Sequence, residues 1–88
     1  MAGYKKNRGR IESLGMRLAY LREMENMTQM DVALKIGCSK SMVRKWEKDE
    51  HCPRADVICE YSDLFNVSAD WILFGDESNT IPKEIPTP

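Results

Sequence analysis

Lys40, Ser41, Arg44, Lys45 and Lys48 fall within nine residues of one another. Together they are donors suited to an acceptor-rich polyanion. An arginine guanidinium can donate to guanine O6 and N7 in bidentate fashion, a lysine offers a point charge, and a serine hydroxyl bonds either a base or a phosphate. On a helical wheel these five side chains occupy an arc of about 140°, with Met42, Val43 and Trp46 on the opposite side. A helix anchored on one face and basic on the other suits a DNA major groove, which admits one α-helix. The competing reading is an ordinary amphipathic surface helix, because Lys and Arg are good helix formers.

Other chemistries find less support. Cys38, His51, Cys52 and Cys59 match none of the zinc spacings, so no metal is expected. No serine, cysteine or carboxylate constellation suggests catalysis, and there is no Gly-rich phosphate loop. The expectation is a non-enzyme without cofactor. Six methionines suit core and interface filling. Three cysteines in no paired pattern point to a reducing, cytoplasmic setting. No apolar run approaches the ~18–20 residues of a membrane span, so no membrane partner is expected. The basic opening Met1-Ala2-Gly3-Tyr4-Lys5-Lys6 is not followed by an apolar signal region.

The net charge of −1 conceals two opposed halves. Residues 1–48 carry eleven Lys and Arg against five acids, a net of +6. Residues 49–88 carry two against nine, a net of −7. Such asymmetry suggests one face built for a polyanion.

These donors need a scaffold, and the apolar periodicity supplies an all-α one. Ile11, Leu14, Leu18 and Leu21 predict a first helix from Ile11 to about Asn26. Thr28, with Asp31 three residues on, caps a second, and Met27 packs on Val32 as a staple. That helix contains Met30, Ala33, Leu34 and Ile36 and stops at Gly37. Ser39 caps a third running through about Lys48. Pro53 sets the entry to a fourth, with Ala55, Ile58, Tyr61 and Phe65 as its buried stripe and Cys59 at the edge, ending at Asn66. Ser68 caps a short fifth, stapled by Val67 and Ile72, that stops at Gly75. The short connection between helices two and three implies a steep crossing, as in a helix-turn-helix. Residues 1–10 read as a flexible basic arm, 11–75 as the folded domain, and 76–88 as a flexible tail or linker. The tail is either the natural end of the protein or the approach to a C-terminal domain.

Leu14-Gly15-Met16-Arg17-Leu18-Ala19-Tyr20-Leu21-Arg22, Met27-Thr28-Gln29, Gly37-Cys38-Ser39-Lys40-Ser41, Val43-Arg44-Lys45-Trp46-Glu47, Pro53 and Val67-Ser68-Ala69-Asp70-Trp71-Ile72-Leu73-Phe74-Gly75 occur in order. This succession resembles the Cro and phage-repressor (xenobiotic response element) type of helix-turn-helix domain. The resemblance implies a compact five-helix fold and a DNA-binding transcription regulator, a repressor occupying a palindromic double-stranded operator as a homodimer. It implies that Lys40, Ser41 and Arg44 face base edges and that Lys45 reaches bases or the flanking backbone. Thr28, Gln29, Ser39, Lys48 and Arg54 would contact phosphates, and Arg22 would pair with Glu47 to tie helix one to helix three. Some repressors of this kind use a basic arm, which here gives Lys5, Lys6, Arg8 and Arg10 as contacts; a solubilising tail is the alternative. Asp49 stands where the family often has glycine, and Asp49 and Glu50 bring negative charge near the DNA. Trp71, Leu73 and Phe74 offer apolar surface for a dimer, or are in large part core, since a short final helix must bury something. The rival reading is an antitoxin or another protein-interaction module on the same fold, with a partner held by the acidic second half.

Overall fold

A computed structural model describes residues 13–75 as five helices: α1 (Leu14–Met24), α2 (Gln29–Ile36), α3 (Lys40–Glu47), α4 (Ala55–Phe65) and α5 (Ala69–Phe74). There is no strand among the described residues, and none of their helices is long and apolar enough to cross a membrane. The expected arm (1–10), the tail (76–88) and Ile11 lie outside the described residues.

Local chemistry sets the boundaries. α1 begins three residues later than the apolar periodicity predicts, because Ser13 is its N-cap. The Ser13 backbone is extended, and its Oγ accepts from the Met16 N–H at 3.0 Å. α1 also stops at Met24 rather than Asn26, whose φ of 55° is left-handed. Thr28 and Asp31 form a reciprocal capping box on α2. The bonds that Thr28 gives the Asp31 carboxylate hold it below its ordinary pKa. Gly37, at φ 89°, closes α2 and turns the chain toward α3. Ser39 caps α3 through the Met42 N–H, and Ser68 caps α5 through the Trp71 N–H. Arg54 occupies the N-cap of α4 without a side-chain capping bond, directly after the buried Pro53.

Every helix contributes to one core: Leu18 and Leu21 from α1, Val32 and Ala33 from α2, Val43 and Trp46 from α3, Ile58 and Tyr61 from α4, and Trp71 and Ile72 from α5. Fully burying each of the larger aliphatic side chains contributes about 1.5–3 kcal/mol before conformational entropy is charged against it. Trp46 meets Tyr61 edge-on at 6.3 Å, and Tyr61 stacks on Phe65 at 5.9 Å. The Tyr61 hydroxyl has no hydrogen-bond partner among the described residues, and burial pushes its pKa upward. Some apolar residues lie outside the core. Met30 and Leu34 are exposed, because α2 turns Val32 and Ala33 to the core instead. Ala55, expected in the buried stripe of α4, and Cys59, expected at its edge, are also exposed, while Trp71 takes the core alternative.

One buried charge is structural. Arg17 on α1 donates from Nε to the Ile72 carbonyl at 2.8 Å and from Nη2 to the Leu73 carbonyl at 2.9 Å. It thereby serves the carbonyl end of α5, where cations are favoured by the helix dipole.

α1 closely approaches the end of α3. A Cβ on Gly15 would lie 2.5 Å from the carbonyl oxygens of both Trp46 and Glu47. Both are backbone atoms and cannot move aside. Gly15→Ala is therefore expected to cost about 3 kcal/mol or more in urea unfolding, at the upper end of overpacking penalties. Gly37→Ala meets open space and bears only the left-handed backbone cost, about 1 kcal/mol. Equal losses at the two positions would refute this account of the α1–α3 contact.

Candidate nucleic-acid interface

The basic arc of α3 is on the outside of the molecule. Lys40, Ser41, Arg44 and Lys48 are exposed and Lys45 is half-buried, while Val43 and Trp46 pin the opposite face. Lys48 is the C-cap of α3, its N–H bonded to the carbonyls of Arg44 and Trp46. An eight-residue helix has little intrinsic stability. Its orientation must come from its neighbours.

Glu47 supplies most of that orientation. Arg22 Nε donates to its Oε2 at 2.7 Å and Arg22 Nη2 to its Oε1 at 2.9 Å, a two-bond pair between α1 and α3. The side chains are 14% and 5% exposed, so the pair is largely removed from water. Gln29 Nε2 donates to the same Oε1 at 3.0 Å, adding α2 to the cluster. Arg22 Nη1 also donates to the Met27 carbonyl, fixing the chain as it enters α2. The hydrogen bond to Glu47 is the main reason the Arg22 pKa is raised, so the guanidinium stays charged.

Beyond α3 the chain turns through Asp49, at φ 60°. Its Oδ1 accepts from the Gly15 N–H at 2.9 Å and its Oδ2 from the Ser13 hydroxyl at 2.7 Å. Asp49 thus serves the amino end of α1, a role the sequence reading did not assign. The turn brings the Glu50 and His51 N–H groups onto the Lys45 carbonyl.

The remaining expected contact residues are more engaged than their charges suggest. Arg44 Nη1 lies 3.8 Å from Glu50 Oε2. Arg54 is held by Asp56 through Nε at 3.4 Å and Nη2 at 3.1 Å, which raises the Arg54 pKa and lowers that of Asp56. Both pairs are exposed, so Arg44 and Arg54 stay open to other partners. The oxygens of Thr28 and Ser39 accept capping bonds. Lys5, Lys6, Arg8 and Arg10 lie outside the described residues. No group of three His, Cys, Asp or Glu side chains suited to a metal occurs among the described residues.

Two signals for the missed contacts were present in the sequence. A glycine at the start of an otherwise apolar helical pattern marks a close approach, and aspartate is among the few residues that enter the left-handed region. Neither names its partner 34 positions away.

Residues 18–72 match the helix-turn-helix family profile. The chain is 35% identical over 65 residues to the HTH-type transcriptional regulator ImmR of Bacillus subtilis, covering 74% of this chain and 51% of that protein. It is 33% identical over 76 residues to the HTH-type transcriptional regulator DicA of Escherichia coli, covering 84% and 56% respectively. The chain therefore spans about half the length of these two relatives. Among solved structures, the P22 c2 repressor in complex with a synthetic operator superposes with a TM-score of 0.71 at 25% identity, covering 74% of this chain and 98% of that one. The solution structure of the P22 c2 DNA-binding domain gives a TM-score of 0.70 at the same identity, covering 81% and 93%.

Removing the Glu47 carboxylate leaves Arg22 and Gln29 facing a hole. Glu47→Ala is expected to lower unfolding free energy by about 3 kcal/mol, as for a buried pair that loses one partner. Glu23→Ala removes only an exposed 3.6 Å contact to the same arginine and should cost less than about 1 kcal/mol. Chemical denaturation of both variants checks this, and similar small losses would show that the Glu47 pair is not structural.

Proposed function

The chain belongs to the helix-turn-helix family, and from that premise we propose that it is a sequence-specific, double-stranded-DNA-binding transcriptional repressor. The observation that carries this reading is the exposed cationic arc of α3, held from behind by the Arg22–Glu47–Gln29 cluster. In this reading α3 enters the major groove. Lys40, Ser41, Arg44 and Lys45 face base edges, while Thr28, Gln29, Ser39, Lys48 and Arg54 lie toward phosphates. Phosphate contacts set register and base contacts set sequence. The exposed Arg54–Asp56 pair exchanges its carboxylate for a DNA phosphate, and Arg44 turns its remaining donors toward DNA acceptors. Lys5, Lys6, Arg8 and Arg10 extend the contact beyond the folded domain. Repression follows from occupying DNA that the polymerase requires. Such a protein works in the bacterial cytoplasm, on chromosomal or phage DNA.

A homodimer on a palindromic operator completes the reading, with half-sites about 34 Å apart. Phe74, at 76% exposure, and Leu73 provide apolar surface at the end of α5. A second, protein-binding reading rests on Asp56, Glu60 and Asp63, exposed at helical spacing on α4 and suited to a basic partner segment.

Selection from random-sequence duplex DNA at physiological salt tests the principal reading. An inverted repeat is expected. Arg44→Ala should relax one base-pair preference by about 1–3 kcal/mol, whereas Lys48→Ala should weaken all sequences alike and lower the salt slope by about one. Binding without enrichment would reduce α3 to a general phosphate contact and bring the protein-partner reading forward.

Phe74→Asp addresses the dimer separately. It should leave the circular dichroism spectrum unchanged and abolish cooperative occupation of the two half-sites. Full retention of that cooperativity would place the dimer contact elsewhere.

A further inference from the structure

We propose that Glu50 is a positioning residue for DNA specificity, holding the Arg44 guanidinium at the outer face of α3 so that it meets base edges rather than the phosphate backbone. This inference rests on the DNA-reading function proposed above.

Three observations support it. Arg44 Nη1 and Glu50 Oε2 are 3.8 Å apart. The backbone of Glu50 is fixed: its N–H donates to the Lys45 carbonyl at 2.9 Å, and it directly follows the left-handed Asp49. Asp49 is itself tied to α1 through the Gly15 N–H and the Ser13 hydroxyl. The carboxylate therefore projects from an anchored position rather than from a free loop. Finally, both side chains are about half exposed, at 45% and 49%, so the pair remains open to an incoming ligand.

The physical consequence follows from the shape of the guanidinium, which has five N–H donors in a planar fork. A carboxylate near Nη1 leaves Nε and Nη2 with donors available for a bidentate acceptor. A long side chain held in this way loses less rotamer freedom when it docks. Phosphates attract any unrestrained cation without regard to sequence. A fixed negative charge just beyond α3 opposes that attraction and repels a backbone that approaches too closely. Glu50 thus weakens binding to random DNA more than binding to the operator.

The test compares Glu50→Gln and Glu50→Asp with the full wild-type chain, measuring affinity for the selected operator and for random duplex at one salt concentration. Glutamine removes the charge. Aspartate keeps the charge but is one methylene shorter, which draws the carboxylate back from a guanidinium already 3.8 Å away. Both variants are expected to lower the operator-to-random ratio by about two- to five-fold, the range of an exposed ion pair. The loss should fall at the base pair whose preference Arg44→Ala abolishes. Unchanged thermal melting would exclude a merely structural effect. Two results overturn the inference: an unaltered ratio in Glu50→Gln, or a wild-type ratio in Glu50→Asp, which would leave only diffuse charge. If the wild-type chain selects no site at all, the DNA-reading function itself fails, a result distinct from either of these.

Discussion

The Arg22–Glu47 pair is the interaction on which the presentation of α3 depends. α3 has eight residues and keeps a broad polar arc facing outward, which leaves Val43 and Trp46 as its fully committed apolar anchors. Two core side chains can hold a helix against the domain, but they fix its rotation about its own axis poorly. A planar guanidinium meeting a carboxylate through two bonds fixes that rotation, because both partners have directional geometry. Gln29 adds a third donor from α2. Glutamate in the last turn of a helix is otherwise unfavourable against the dipole. The cationic partner offsets that cost, although desolvating both charges leaves little net stabilisation. What the pair contributes is therefore chiefly orientation.

The second constraint is the meeting of two helix ends. The amino end of α1 lies against the carbonyl end of α3, an arrangement in which the partial charges of the two helices attract. It requires Gly15, because any Cβ would strike the Trp46 and Glu47 carbonyls. It also gives Asp49 two donors to accept from, which compensates for its left-handed backbone. A glycine at this position would relieve the backbone but leave the Gly15 N–H and Ser13 hydroxyl without that carboxylate. The departure from the family pattern is thus matched by a contact on α1.

The number of helices and their chemical type were legible in the sequence because caps and terminators act locally. Thr28 with Asp31, Ser39, Ser68, Gly37 and Asn66 each signal through neighbours a few residues away. The start of α1 was misplaced because Ile11 fits the apolar period, whereas the decisive Ser13 cap lies within the same stretch and depends partly on the distant Asp49. The sequence leaves the inward face of α2 open for a related reason. Met30, Ala33 and Leu34 form a plausible stripe by spacing, but packing against α3 and α4 selects Val32 and Ala33. The resemblance to phage-repressor domains pointed to Arg22 and Glu47. Glu50 near Arg44 and Asp56 on Arg54 could not be read there, since ion pairing at an exposed turn depends on where the backbone goes after Asp49 and Pro53.

Those two exposed pairs change how the charge of the interface should be counted. The first 48 residues carry a net +6, yet Arg44 among them, like Arg54 beyond them, already has a carboxylate neighbour from the acidic second part of the sequence. Among the described residues the lysines of the face, Lys40, Lys45 and Lys48, make no ion pair. Two kinds of cation therefore stand together. The lysines supply an attraction that long-range screening governs and sequence does not. In the proposed reading Arg54 must leave Asp56 before taking a phosphate, whereas Arg44 keeps Glu50 beside Nη1 and its gain depends on how well the new acceptor fits the rest of the guanidinium fork. In the proposed reading, acidic residues beside α3 sharpen recognition, because they diminish the part of the affinity that every sequence shares.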